Sequence, residues 1–162
     1  MKPAIKIGLG YDVHRLVEGR ELWLGGIRLD SRLGALGHSD ADVLLHAICD
    51  ALLGALALGD IGVHFADTDA AFKNIDSKIL LQRSFELVRK KGWMVGNVDC
   101  VLILQKPKIS PYTLQMRETI AGILQISVDE VSIKATTSEQ LGFVGENKGV
   151  EAKAVCLIYK SE

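Results

Sequence analysis

The feature that most constrains this chain is an apolar helix that carries three polar side chains in one line. Within the segment 37–69, Asp42, His46 and Asp50 recur every four residues, so they lie on one side of a helix. The residues around them are large and apolar: Val43, Leu44, Leu45, Ile48, Leu52, Leu53 and Leu56. A helix this apolar is buried on nearly all sides. Because burying carboxylates and an imidazole is costly unless they are paired or bound to metal, the polar line needs partners elsewhere in the chain.

Size and composition predict one globular domain over residues 1–162. Hydrophobic residues make up 48% of the sequence and charged residues 24%, an ordinary mix for a domain with a sizeable core. The net charge of −1, with both signs spread along the chain, argues against nucleic-acid-binding and membrane-surface proteins. No apolar run reaches the roughly 18 residues that a membrane span needs.

The N-terminal sequence MKPAIKIGLGYDVH lacks the long apolar segment and the cleavage site of a secretory signal. A cytoplasmic location is therefore expected, and a plastid only if a transit peptide has been removed. Cys49, Cys100 and Cys156 stand in separate apolar stretches without a CxxC pair, so they are expected to be reduced core residues.

The hydrophobic pattern predicts an α+β fold, a two-layer sandwich in which helices cover one face of a mostly four-stranded sheet. Strands are expected at 4–10, 93–105, 131–135 and 150–159, with a small hairpin at 21–29 around Gly25-Gly26. Helices are expected from Ser39 or Asp40 to about Leu58, from Asp76 or Ser77 to Gly92, and over 111–124, with loops at 34–37, 59–71 and 136–148. The strand faces are more apolar than these helices can cover, which favours oligomerisation.

Asp12, His14 and His46 form a candidate metal site. Residues i and i+2 of a strand point the same way, so Asp12 and His14 could present one oxygen and one nitrogen to a single point. His46 could supply a third ligand from the buried helix, and two imidazoles with a carboxylate suit zinc with an open fourth position. The alternative is a turn-side contact between Asp12 and His14, with His46 a hydrogen-bonded core histidine.

Polar residues next to this helix have two interpretations each. Asp50 could accept the proton on the other imidazole nitrogen of His46, or could make an ordinary polar contact. His38 and Ser39 could donate hydrogen bonds to a phosphate, or Ser39 or Asp40 could simply cap the helix. The Asp- and Gly-rich segment 60–69 could bind hydroxyl groups or a cation, or could form turns.

Polar residues also follow two of the predicted strands. Lys106 and Lys108 follow one strand, and the segment 134–139 ends another. Amines and hydroxyls at strand ends can hold phosphates, and Glu139 could offer a hard oxygen to Mg²⁺ or Mn²⁺. A lysine at the end of a strand is, however, usually only solvated.

Together these segments resemble the 2-C-methyl-D-erythritol 2,4-cyclodiphosphate synthases of the non-mevalonate isoprenoid pathway. The matching segments are Gly10-Tyr-Asp-Val-His14, His38-Ser-Asp-Ala-Asp-Val-Leu-Leu-His46, Asp50-Ala-Leu-Leu-Gly54, Gly59-Asp-Ile-Gly62, Phe65-Ala-Asp-Thr-Asp69, Asn97-Val-Asp99, Pro107-Lys108 and Lys134-Ala-Thr-Thr137. They run in family order over essentially the whole chain, and the combination is highly specific although no single segment is.

The resemblance implies a homotrimer with active sites between adjacent subunits. It implies zinc on Asp12, His14 and His46, with a substrate phosphate oxygen as the fourth ligand, and Mg²⁺ or Mn²⁺ on Glu139 with the diphosphate. The implied substrate is 4-diphosphocytidyl-2-C-methyl-D-erythritol 2-phosphate. Its 2-phosphate attacks the β-phosphorus, CMP leaves and the cyclodiphosphate closes, which makes such an enzyme a phosphorus–oxygen lyase.

The resemblance also implies roles for individual residues. His38 and Thr137 would stabilise the transition state beside the reacting phosphates. The methylerythritol part would lie against Ser39, Asp60, Ile61, Gly62, Phe65, Asp67 and Asp69. The cytidine diphosphate part would lie against Leu104, Lys108, Ile109 and Ser110 of the neighbouring subunit, with Ala135, Thr136 and Thr137, and Phe143 is also expected at the substrate.

One position departs from the family pattern, and two other functions stay open. Glu146 stands where many members carry arginine, in a turn linked to binding an isoprenoid diphosphate near the trimer axis, which weakens the expectation of that site here. The first alternative is a non-catalytic zinc-dependent trimer that senses a nucleotide or an isoprenoid diphosphate. The second is a zinc phosphohydrolase, which would need a water positioned at the metal.

Overall fold

A five-stranded sheet forms one layer of the protein in a computed structural model that describes residues 4–160. The strands are β1 (Ile5–Glu18), β2 (Leu22–Leu24), β3 (Ile27–Leu29), β4 (Leu33–Leu36), β5 (Trp93–Ile103), β6 (Val131–Thr136) and β7 (Gly149–Lys160). Their order in the large sheet is β4-β1-β7-β5-β6, and only β5 and β6 run parallel. Strands β2 and β3 form the predicted hairpin, which turns at Gly25-Gly26. The predicted α+β fold is therefore confirmed, with five strands rather than four in the large sheet.

Helices form the second layer. Its main helices are α1 (Val43–Ala55), α3 (Ser77–Lys90) and α4 (Thr113–Leu124), and two short helices, α2 (Ile61–His64) and α5 (Gly142–Gly145), lie in connecting segments. The loops predicted at 59–71 and 136–148 thus each contain one short helix. None of the helices in residues 4–160 has the length and apolar character needed to cross a membrane. The predicted domain, 1–162, extends past the described residues at both ends.

The central helix α1 lies unusually close to strand β1. Eleven of its 13 residues are buried, as its apolar sequence predicts. Gly8 and Gly10 of β1 face it, and a Cβ atom at either position would lie 1.8 Å from a carbonyl oxygen of Ala51 or Ala47. Only glycine allows this approach, so these two residues set the distance between the strand and the helix.

Strand β1 is longer than its sequence pattern predicts, and the segment 34–37 is not a loop. β1 pairs with β7 as far as Arg15 and then with β4 as far as Glu18. β4 has only four residues, and two of them are the small, buried Gly34 and Ala35. Because polar and apolar side chains do not alternate along it, its sequence does not predict a strand. The extension of β1 places Asp12 and His14 inside a regular strand.

Helix α1 begins later and ends earlier than predicted. Its N-cap is Asp42, whose carboxylate accepts a hydrogen bond from Leu45 N–H at 3.1 Å. The prediction of Ser39 or Asp40 as the cap was wrong because Ala41 has a φ of 57°, a left-handed conformation that interrupts the helical path. At the other end the helix stops at Ala55 instead of Leu58, and Ala57 is again left-handed.

The sheet face that no helix covers is strongly apolar. Alternate residues of β1 point outward, and Ile7 and Leu9 are 68% and 69% exposed. The outer face, as we call it, consists of Ile5, Ile7, Leu9, Tyr11, Val13, Val155 and Tyr159. Exposed apolar side chains on paired strands are typical of interaction surfaces, because soluble monomers rarely leave a large apolar patch open to water.

The three cysteine thiols are expected to be unreactive in the folded protein. Cys49, Cys100 and Cys156 are all free and buried, as predicted. Burial raises the pKa of Cys49 and Cys100 to about 12 and that of Cys156 to about 11. Because the thiolate is the reactive form, the thiolate fraction at pH 8 is on the order of 10²- to 10³-fold below that of a free cysteine. A chromogenic disulfide reagent should therefore label three thiols per chain only after denaturation; fast labelling of the native protein would contradict this.

Candidate metal centre and active site

Three potential ligand atoms converge where β1 meets the N-terminal half of α1. Asp12 Oδ2 lies 2.9 Å from His14 Nε2 and 3.0 Å from His46 Nδ1. The two imidazole nitrogens lie 3.2 Å apart. Asp12 and His14 sit two residues apart on one face of β1, and His46 projects from the first turns of α1. The predicted trio is thus brought together, and within residues 4–160 it is the cluster of acidic, histidine and cysteine side chains that could hold a metal ion.

The donor set and its spacing fit zinc. With Zn–N and Zn–O bonds of about 2.0–2.1 Å, tetrahedral ligand atoms lie roughly 3.3 Å apart, close to the three separations found here. The other ring nitrogen of His14, Nδ1, lies 3.0 Å from Leu36 O, so it carries the proton and donates it to that carbonyl. When the ring is neutral, as metal binding requires, the lone pair is on Nε2, the nitrogen that faces Asp12 and His46.

The electrostatics keep the Asp12 carboxylate ionised. Burial raises the pKa of Asp12, but hydrogen bonds to His14 and His46 and the charges of these rings outweigh it, so the pKa falls to about 2. Burial likewise lowers the pKa of His14, while its hydrogen bond to Asp12, the charge of that carboxylate and the bond to Leu36 raise it, and the net shift is upward. The trio is therefore a negatively charged oxygen beside two basic nitrogens, which attracts a cation.

A cavity of about 370 Å³ opens beside the trio. Its wall contains the three potential ligands and six further residues predicted for the site: His38, Ser39, Ile61, Gly62, Phe65 and Asp67. Phe72, Ile75 and Leu80 add apolar surface. A pocket with one charged cluster and a mainly apolar wall is suited to a small ligand that carries charge at one end.

Two acidic residues of the predicted site also cap short helices. Asp60 Oδ1 accepts from Val63 N–H at 3.1 Å at the start of α2. Asp69 Oδ1 accepts from Ala71 N–H at 2.9 Å, and the carbonyl oxygen of Asp69 lies 3.2 Å from His38 Nε2. Asp69 thereby anchors His38 at the cavity wall through its backbone.

The three polar side chains on one side of α1, those of Asp42, His46 and Asp50, each contact a different part of the structure. Asp42 is fully buried and accepts hydrogen bonds from Gly25 and Gly26 N–H at 2.9 and 2.7 Å, which fastens the β2–β3 hairpin to the helix. His46 belongs to the trio of potential metal ligands, called the metal cluster below. Asp50 accepts from Ile61 N–H at 2.8 Å and not from His46, so the prediction that it receives the imidazole proton was wrong and the ordinary polar contact is correct.

The site residues predicted around the end of β6 lie at the β6 edge of the large sheet. Thr136 pairs with Ile103, Ile103 with Glu151, and Glu151 with Val13, so β6 and the metal cluster share one end of the sheet. Three strand spacings, roughly 14 Å, separate them. The exposed members are Lys108, Ser110, Ala135, Thr136, Thr137 and Glu139.

Several residues at that edge have other neighbours. Leu104 and Ile109 are buried, which leaves their backbone rather than their side chains for a ligand. Phe143 lies with Tyr11, Val13 and Lys148 in a pocket that His14 also lines, and it is not part of the wall of the cavity beside the trio.

Three polar residues that sequence analysis missed support the site. Arg20 donates to the carbonyl oxygens of Ala35, Gly37 and Ser39 at 3.1, 3.3 and 3.0 Å, so it fixes the loop that carries His38. Ser77 and Asp40 contact each other beside His46. Ser77 Oγ lies 2.8 Å from His46 Nε2. No motif in the sequence signals these contacts, because each joins residues far apart along the chain.

Known proteins resemble this chain over nearly all of the described residues. The model of the YgbB family matches residues 5–159. The 2-C-methyl-D-erythritol 2,4-cyclodiphosphate synthase of Bacteroides thetaiotaomicron is 56% identical over 156 residues, which cover 96% of this chain and 98% of the relative.

Solved structures agree in fold. The bifunctional IspDF of Campylobacter jejuni superposes with a TM-score of 0.94 at 38% identity, over 98% of this chain but 43% of that longer protein. A Plasmodium falciparum IspF in complex with CDP gives a TM-score of 0.86 at 36% identity and covers 100% of both chains. The chain therefore belongs to the YgbB family of 2-C-methyl-D-erythritol 2,4-cyclodiphosphate synthases and is an enzyme of the phosphorus–oxygen lyase class.

Proposed function

We propose that this enzyme converts 4-diphosphocytidyl-2-C-methyl-D-erythritol 2-phosphate to 2-C-methyl-D-erythritol 2,4-cyclodiphosphate and CMP. The observation that carries the proposal is the Asp12, His14 and His46 trio at the wall of a cavity of about 370 Å³. The 2-phosphate oxygen forms a bond to the β-phosphorus while the bond between that phosphorus and the bridging oxygen of CMP breaks. The nucleophile is already an anion, so no protein nucleophile is needed.

The residues of the cavity bind and orient the substrate. His38, whose Nε2 lies 3.2 Å from Asp69 O, lies at the wall beside the trio and would stabilise charge on the reacting phosphates. Ile61, Gly62 and Phe65 provide a surface for the carbon chain of methylerythritol. Holding attacker and leaving group in one bent conformation supplies much of the rate enhancement, because both belong to one flexible, highly anionic molecule.

Two divalent ions belong to the proposal. Asp12, His14 and His46 would hold zinc, which would supply Lewis-acid stabilisation of the developing phosphate charge. Glu139, exposed beyond the end of β6, offers a hard oxygen ligand for Mg²⁺ or Mn²⁺ together with the diphosphate.

We further propose a homotrimer whose active sites lie between adjacent subunits. Two observations support it. The outer face needs a partner, and a second copy of the chain presents the same apolar surface. The register also puts Thr136 three strand spacings from the trio, and in the proposed trimer Lys108, Thr136 and Thr137 of a neighbouring subunit would hold the cytidine diphosphate part.

Phosphorus NMR of the purified protein with this substrate and Mg²⁺, with and without a zinc chelator, tests the reaction. We expect two cyclic diphosphate signals together with CMP, their loss on chelation, and their return when zinc is added. The alternatives give other spectra. Release of free phosphate would indicate a phosphohydrolase, and unchanged substrate bound to a zinc-loaded trimer would indicate a sensor; either result would refute the proposed function.

A further inference from the structure

A line of hydrogen bonds runs outward from the metal cluster through buried side chains. His46 Nε2, on the far side of the ring from Asp12, lies 2.8 Å from Ser77 Oγ. The Ser77 hydroxyl in turn contacts Asp40 Oδ1, and Ser77 N–H donates to Asp40 Oδ2 at 3.0 Å. Ser77 has no exposed surface and His46 is 5% exposed. We call the series His46, Ser77 and Asp40 the relay.

The chemistry of the relay fixes the direction of each hydrogen bond. An ionised carboxylate only accepts, so the Ser77 hydroxyl proton points to Asp40. Ser77 Oγ then offers a lone pair to His46, and Nε2 must donate to it. A neutral imidazole carries one proton, which leaves Nδ1 of His46 with the lone pair that faces Asp12 and His14.

Two other neighbours of His46, Asp12 and Ser39, favour the other tautomer of its ring, with the proton on Nδ1. Asp12 Oδ2, 3.0 Å from Nδ1, would accept a proton placed on that nitrogen. Ser39 Oγ lies 3.2 Å from Nε2 and already accepts from Ala41 N–H at 3.0 Å, so its own hydroxyl proton is free to turn towards Nε2. This arrangement would point an N–H of His46 into the space where a metal must bind.

We propose that Ser77 and Asp40 are positioning residues that hold His46 in the Nε2–H form and thereby set the metal affinity of the cluster. The proposal rests on the metal-binding part of the proposed function. Hydrogen-bond partners of metal-binding histidines commonly change metal affinity by 10- to 100-fold when they are removed. The relay also couples the start of α3 to the metal, since Ser77 is the first residue of that helix.

The test compares Ser77→Ala with a matched control on the same helix. Ser84 is equally buried and takes no part in the relay. In competition with a chromophoric chelator, Ser77→Ala should bind zinc 10- to 100-fold more weakly than the unaltered protein. Ser84→Ala should remain within about twofold.

A spectroscopic measurement separates positioning from a general loss of structure. In the zinc-loaded protein, the Nε2–H signal of His46 should be protected from exchange with water in the unaltered chain and in Ser84→Ala. It should exchange faster in Ser77→Ala. A second variant, Asp40→Asn, can donate its amide to Ser77 Oγ and reverse the relay, so its zinc affinity should fall in the same way.

The outcomes are distinguishable. Unchanged zinc affinity and unchanged Nε2–H exchange in folded Ser77→Ala, or in Asp40→Asn should Ser77→Ala fail to fold, would overturn the relay. Absence of zinc binding in the unaltered protein would instead refute the metal assignment within the proposed function.

Discussion

In the His46→Ala variant, zinc content and CMP release are expected to fall together, with turnover lower by about 10³-fold or more. His46 is the ligand contributed by the helix, and without it Asp12 and His14 form a two-ligand site on one strand. Two ligands leave the ion weakly held and the charge on the reacting phosphates poorly stabilised. Metal content by mass spectrometry and CMP release by chromatography measure the two effects on the same sample.

The control for this variant is His64→Ala. His64 lies in α2 with Nε2 2.9 Å from Leu58 O, and it does not belong to the metal cluster. We expect this variant to keep its zinc. Normal turnover by a His46→Ala protein shown to be free of zinc would overturn the assignment of the centre.

The Gly10→Ala variant is expected to lose about 3 kcal/mol or more of its free energy of unfolding, a large part of the roughly 5–15 kcal/mol that stabilises a domain. The new methyl group would lie 1.8 Å from Ala47 O, a backbone atom that a side-chain rotation cannot move. Helix α1 must therefore shift away from β1. Because Ala47 follows His46 and Gly10 lies two residues before Asp12, the shift also separates the metal ligands.

Urea unfolding at one fixed protein concentration, in the presence of a zinc chelator, measures the first effect. Gly122→Ala is the matched control, since Gly122 lies in α4 and a Cβ there meets no atom within 4 Å. Alanine should stabilise that helix by roughly 0.5–1 kcal/mol. Equal stability of Gly10→Ala and the unaltered protein would show that α1 and β1 lie farther apart than described.

Local pattern indicated the trio Asp12, His14 and His46 but left two interpretations of it open. Asp12 and His14 are two residues apart on an extended segment, and His46 is a histidine that a buried helix cannot leave without a partner. These are short-range properties of a strand and a helix, so periodicity reveals them. The same reasoning located the helices α3 and α4 and the hairpin, whose turn at Gly25-Gly26 has a conformation typical of glycine.

Tertiary contacts account for what could not be predicted. Ser77 is 31 residues from His46 and, at the start of a helix, has the sequence signature of a cap. Asp50 could accept from His46 or make an ordinary polar contact, and only the path of the chain after α1 brings Ile61 N–H to it. Strand β4 forms by pairing with residues 15–18 of β1, on the edge opposite to β7, and four residues cannot signal such a distant partner themselves.

The side chains of β1 point alternately to the two faces of the sheet, and this alternation affects how the chain reaches its native state. One side of the strand carries Gly8, Gly10, Asp12 and His14, and the other side carries the outer face. A slip of one residue against β7 would exchange the two sides, turning both ligands outward and forcing Tyr11 and Val13 beneath α1. Most backbone hydrogen bonds could re-form in such a molecule, but the metal would have no complete site. If the trio binds zinc as proposed, the free energy of metal binding would be available only to the correct register, and zinc uptake would separate correctly paired chains from slipped ones.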